Sequence, residues 1–122
     1  MTRDVINFAE KLSRMPKPWS PRVVAEMNDY QFKLVKLQGD FVWHQHAETD
    51  EVFIAVKGTM QAGFRDREVS IREGEMFVVP RGEEHIMRAS EEGHAALIIE
   101  PRGVVNTGDV VSGLTAENDV WV

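Results

Sequence analysis

The 122 residues make one domain's worth of chain, 43% hydrophobic and 28% charged, enough to bury a core in an ordinary globular protein. A formal charge of -6 argues against a nucleic-acid backbone as partner, and no long basic run offers an anchor to an anionic membrane. Cysteine is absent, which excludes disulfides, thiolate metal sites and a cysteine nucleophile.

The N-terminal stretch MTRDVINFAEKLSR has acids throughout and no apolar core of signal-peptide length. No apolar run approaches the ~20 residues that span a bilayer, so the expected location is cytoplasmic, with no membrane partner. From Thr2 to about Met15, Val5, Phe8, Ala9, Leu12 and Met15 recur at helical spacing and predict a short amphipathic helix ending before Pro16. PKPWSP (16–21) then breaks regular structure with three prolines and reads as a surface connector on which Trp19 docks.

From Arg22 the pattern changes to short β-type runs: 23–27, 30–37, 41–46, 51–56, 59–65, 68–71, 76–80, 85–89 and 94–100. Turn residues separate them, among them Asn28-Asp29, Lys57-Gly58, Asp66-Arg67 and Glu91-Glu92-Gly93. Nothing between them reads as a crossover helix. So many short strands at intervals of about 8–12 residues predict an all-β sandwich or barrel. The expected division is a helix and connector over 1–21, a barrel over 22–105, and a C-terminal tail over 106–122 packed on the barrel, with Trp121 pinning its end.

Chemistry concentrates in two stretches. In GDFVWHQHAETDEVFIAVKG (39–58), His44 and His46 stand two apart on an expected strand and so project from one face. Two neutral imidazoles so placed suit adjacent positions on a metal ion, and an antiparallel return could bring Glu51 beside them. Taken alone, the pair fits a surface strand with a loop of solvated acids equally well. The second stretch, GEMFVVPRGEEH (74–85), has a glycine turn, an apolar strand, a Pro-Arg-Gly turn and then His85.

Together the two stretches resemble the cupin superfamily. Gly39, His44, His46, Glu51 and Gly58 follow its first motif, with one residue fewer than usual between Gly39 and His44. Gly74, Pro80, Gly82 and His85 follow the second, and 15 residues separate Gly58 from Gly74. The phrase EPRGVVNTGD is similar to one in small cupins of the mannose-6-phosphate-isomerase-like group. Ala89 departs from the pattern where an asparagine, not a metal ligand, often closes the second motif.

The resemblance implies a double-stranded β-helix, a jelly-roll barrel, with His44, His46, Glu51 and His85 as ligands of one divalent ion. Iron, manganese, nickel, copper and zinc all suit such a set. Glu48 and Asp50 are rival carboxylates, and His94 reads as a solvated strand-end residue. By strand parity Val42, Phe53, Ala55 and Met87 should line a dry pocket, whereas Met60 and Met76 read as core. Trp43 alternates outward, towards a partner subunit. No arginine or lysine can be aimed at the pocket, Arg88 having the wrong parity. The implied activity is metal-dependent, of dioxygenase or isomerase type, on a small organic molecule; a non-catalytic binding module is the alternative. No separate organic cofactor and no catalytic residue beyond the ligands is identified. The resemblance also implies a homodimer.

Overall fold

The computed structural model describes residues 3–122, with the side chain of Glu92 left aside. Helix α1 (Phe8–Ser13) is shorter than its apolar periodicity suggests. The Asn7 side chain accepts a hydrogen bond from the Glu10 backbone N–H at 3.0 Å, so Asn7, itself extended, caps the helix, and residues 3–6 are not helical. Thr2, where the expected helix begins, lies outside the described residues.

Seven strands follow. β1 (Arg22–Met27) and β2 (Tyr30–Asp40) form a hairpin through Asn28, which adopts φ 55°. β3 (Glu51–Lys57), β4 (Met60–Phe64), β5 (Glu68–Ile71) and β6 (Met76–Val79) are short. β7 (His85–Pro101) is long and serves as the common partner. The main sheet runs β1-β2-β7-β3-β6, all antiparallel, while β4 joins β5 to the first part of β7 and nearly closes a barrel.

Two expectations fail for the same reason, irregular register. Residues 85–89 and 94–100 are one strand, and Glu91-Glu92-Gly93 is a bulge within it. Leu37 pairs with His94 but Gly39 with Ala89, so Gln38 alone stands opposite residues 90–93. The bulge bends β7 from β4 on one side of the barrel to β2 and β3 on the other without breaking the chain of pairings. Conversely, 41–46 is no regular strand, since only His44 is paired, by a bridge to His85. The Phe41 N–H reaches the Met87 carbonyl and the His44 N–H the His85 carbonyl, each at 2.9 Å. Three steps along one segment match two along the other, which breaks the parity between Val42 and His44.

The interior is apolar, built from Val35, Leu37, Phe53, Met60, Ala62, Phe64, Met87, Ala96 and Ile98. On the opposite face of β2 and β7, Leu34 and Leu97 form a second cluster with Met15 and Val24, which Ile6 and Leu12 help to cover. Met60 is fully buried as expected, but Met76 is 62% exposed, because β6 is an edge strand and Met76 lies on its solvent side. Trp19 is buried; its indole N–H donates to the Gln38 carbonyl at 2.8 Å and its ring stacks on Phe41. The end of the tail is held by its backbone, Val23 N–H donating to the Val120 carbonyl at 2.8 Å, while the Trp121 ring stays half exposed. Among the described residues no helix is long and apolar enough to cross a membrane.

Gly58 turns β3 into β4 at φ 72°, and a Cβ there would lie 2.1 Å from Nδ1 of His94. That nitrogen accepts the Thr59 N–H at 3.0 Å, so His94 holds the turn and is not a free strand-end group. Gly58→Ala should cost on the order of 2–3 kcal/mol, read from the urea midpoint. In a double-mutant cycle the added His94→Ala should recover the steric part and leave roughly 1 kcal/mol of backbone strain. Strict additivity of the two changes would refute the proposed clash.

Candidate metal centre

Four buried side chains meet at one end of the barrel. His44 sits on the bridge to His85 at the start of β7, and Glu51 opens β3. His46 follows two residues after His44, its carbonyl accepting the Gly82 N–H at 2.8 Å. The exposures of His44, His46, Glu51 and His85 are 3%, 7%, 4% and 0%. One donor atom from each lies within 4.8 Å of all the others.

Backbone carbonyls orient two of the imidazoles. Nδ1 of His44 is 2.9 Å from the Val42 carbonyl, and Nδ1 of His85 is 2.9 Å from the Glu83 carbonyl. A carbonyl only accepts, so each Nδ1 carries the proton and each Nε2 presents a lone pair. Nε2 of His46, Nε2 of His85 and Oε1 of Glu51 are buried without a hydrogen-bond partner. Unpartnered buried polar atoms are rare because each forfeits its hydration, and three aimed at one point fit a cation. His46 Nε2 and His85 Nε2 lie 3.4 and 3.9 Å from Glu51 Oε1. Donors about 2.1 Å from a common ion stand about 3 Å apart at right angles and about 4.2 Å apart when opposite, so these spacings fit one ion.

Burial, followed by the neighbouring His85, pushes His44 down to about 4, and burial lowers His46 and His85 as well. All three rings are therefore neutral near pH 7, the form that binds metal. Burial raises Glu51, while a hydrogen bond from Glu100 and the charge of Lys33 pull it back.

The rival carboxylates are elsewhere. Glu48 is exposed, and Asp50 accepts the Arg81 N–H at 2.9 Å on the surface. Phe53 and Met87 line a small cavity of about 30 Å³ that adjoins His44 and Glu51. Val42 and Ala55 are not among its lining residues. The extra residue between Phe41 and His44 puts Phe41 at the cavity in place of Val42, and Ala55 is enclosed in the core opposite Ala96. Trp43 is half-buried, with the Arg65 guanidinium 3.8 Å from its ring centroid and that of Arg88 6.0 Å away.

Sequence reasoning passed over Glu100 and Lys33. Both are buried, at 3% and 4%, and Lys33 Nζ donates to Glu100 Oε2 at 2.7 Å. Glu100 also lines the cavity. The signal was the odd–even alternation of 30–37: Gln31, Lys33, Val35 and Leu37 share the inward face. Phe32 and Leu34 on the other face disguised it, because that face is covered too.

Several comparisons agree with this geometry. The family model described as Cupin domain matches residues 33–101, more than half of the chain. A crystal structure of a cupin-2 domain containing protein from Shewanella frigidimarina is 59% identical, with a TM-score of 0.78, covering 80% of this chain and 95% of that one. Protein NMB1881 from Neisseria meningitidis is 39% identical, with a TM-score of 0.72 and coverage of 80% and 99%. Uncharacterized protein YdbB of Bacillus subtilis is 30% identical over 67 residues, 54% of this chain and 59% of that protein's length.

Between pH 6.5 and about 4 the unfolded chain protonates His44 while the folded, metal-free chain does not. Stability contributed by this neutral ring is complete above about pH 6.5, declines as pH falls, and levels off below 4. The loss should be on the order of 3 kcal/mol. Urea midpoints of metal-free wild type and His44→Gln should therefore shift in the variant's favour as pH falls through that window; a constant difference would contradict the burial of a neutral ring.

Proposed function

Because the chain belongs to the cupin domain family, we propose that it holds one divalent transition-metal ion on His44, His46, Glu51 and His85 and acts there on a small organic molecule. The observation that carries this reading is the set of buried, partnerless donor atoms converging on one point, with two imidazoles preset by backbone carbonyls. An ion so held by three imidazoles and one carboxylate supplies Lewis acidity at its open positions and, if it is iron or copper, redox chemistry.

The protein's own contribution is a dry, shaped end to the cavity. Trp19, Phe41, Phe53, Met87 and Ile98 exclude water and receive an apolar body, while His44, Glu51 and Glu100 mark the polar end. Among the described residues no lysine or arginine lines the cavity, and Lys33, bound to its wall residue Glu100, is already paired. That supports a dioxygenase-type reaction over the sugar-phosphate isomerisation implied by the mannose-6-phosphate-isomerase-like resemblance. The competing reading is a non-catalytic module that captures the same kind of ligand; turnover separates the two. We place the protein in the cytoplasm and take it to be a homodimer; Met76 and Val78, which leave apolar surface exposed on the edge strand β6, support the dimer.

Metal analysis by mass spectrometry on tag-free protein prepared without chelator should find about one iron, manganese, nickel, copper or zinc ion per chain. His85→Ala should lose most of it while remaining folded. Wild-type protein that stays metal-free after supplementation with each ion in turn would sink the assignment.

A further inference from the structure

The metal-ligand carboxylate does not stand alone. Glu51 Oε1 faces His46 and His85, and its carboxyl group shares a hydrogen bond with Glu100. Glu100 in turn gives Oε2 to Lys33 Nζ at 2.7 Å. Lys33 completes its shell with the Val104 carbonyl at 3.3 Å and Asn118 Oδ1 at 3.5 Å, both contributed by the chain after β7. A continuous buried line thus runs from the C-terminal segment through β2 and β7 to the ligand on β3.

As a stabilising device the arrangement is poor. An ammonium and a carboxyl group taken fully out of water gain little over apolar residues of the same volume, and no N–H donor reaches Glu100 Oε1. Its placement answers a different need. A carboxylate at a strand start can rotate, and an ion held at right-angled positions requires one orientation of it. A protonated Glu100 carboxyl donating to Glu51 selects that orientation, and Lys33 keeps Glu100 in place.

We propose that Lys33 and Glu100 form a positioning pair that fixes the Glu51 carboxylate for the ion and thereby sets the affinity and symmetry of the metal site. This rests on the metal reading above. Neither residue need touch the ion; Glu100 acts through Glu51, and Lys33 through Glu100.

The test uses cobalt(II) as probe, with dissociation constants from competition titration and the visible ligand-field spectrum as a second readout. Lys33→Met/Glu100→Leu removes both polar groups at near-constant volume and so avoids a stranded buried ammonium. It should keep the wild-type strand signature in circular dichroism, bind cobalt about 10- to 100-fold more weakly, and show an altered spectrum. Glu100→Gln retains a donor towards Glu51 and an acceptor for Lys33, and should lie much closer to wild type in both measurements. Cobalt binding by the folded double variant with the wild-type constant and spectrum would overturn the positioning role and leave the metal site intact. Wild type that binds no cobalt overturns the metal reading and the positioning role together.

Discussion

Burying three imidazoles, two carboxyl groups and an ammonium at the end of an apolar barrel is the constraint to which the rest of this structure answers. Each group forfeits hydration, and a group left unmatched costs on the order of several kcal/mol. Backbone carbonyls of Val42 and Glu83 absorb the imidazole protons. Lys33 is placed against Glu100, and the remaining unsatisfied atoms are gathered where a cation can satisfy them at once. An apolar wall follows from the same logic, since water admitted beside these groups would weaken every interaction among them.

The backbone is shaped to bring the groups together. His85 and Glu100 sit at opposite ends of one 17-residue strand, yet both reach the same end of the barrel region, because the bulge at 90–93 redirects β7 between its two sets of partners. The irregular crossing at 41–44 does the corresponding work for His44. Regular ladders build the scaffold, and the departures from regularity aim the side chains.

Much of this was legible in the residues, and the remainder was hidden for identifiable reasons. Gly58, Gly74 and Gly82 lie in turns at positive φ and Gly39 at the irregular register of β2, so the glycine spacing marks real breaks in the ladders. Strand β3 follows the period-two pattern closely, Glu51, Phe53 and Ala55 being buried in alternation. Parity failed where one residue was inserted on one side of a pairing, which moved Phe41 rather than Val42 to the cavity. It failed again on β2, where both faces are covered and alternation no longer says which is inside. Met76 was misplaced because an apolar side chain on an edge strand looks, in sequence, like one in the core.

The walls of the cavity come from different parts of the chain. His44, Glu51, Phe53 and Met87 belong to the span matched by the family model, but Trp19, Pro21 and Asn106 lie outside it. Asn106 donates to the Trp19 carbonyl at 3.2 Å, fastening the two outer segments to each other across the opening. The walls of the chamber thus come from separate stretches of one chain. Substitutions at Trp19, Pro21 or Asn106 can therefore recontour the cavity while the four clustered donors keep their places, so wall and donors are free to change independently.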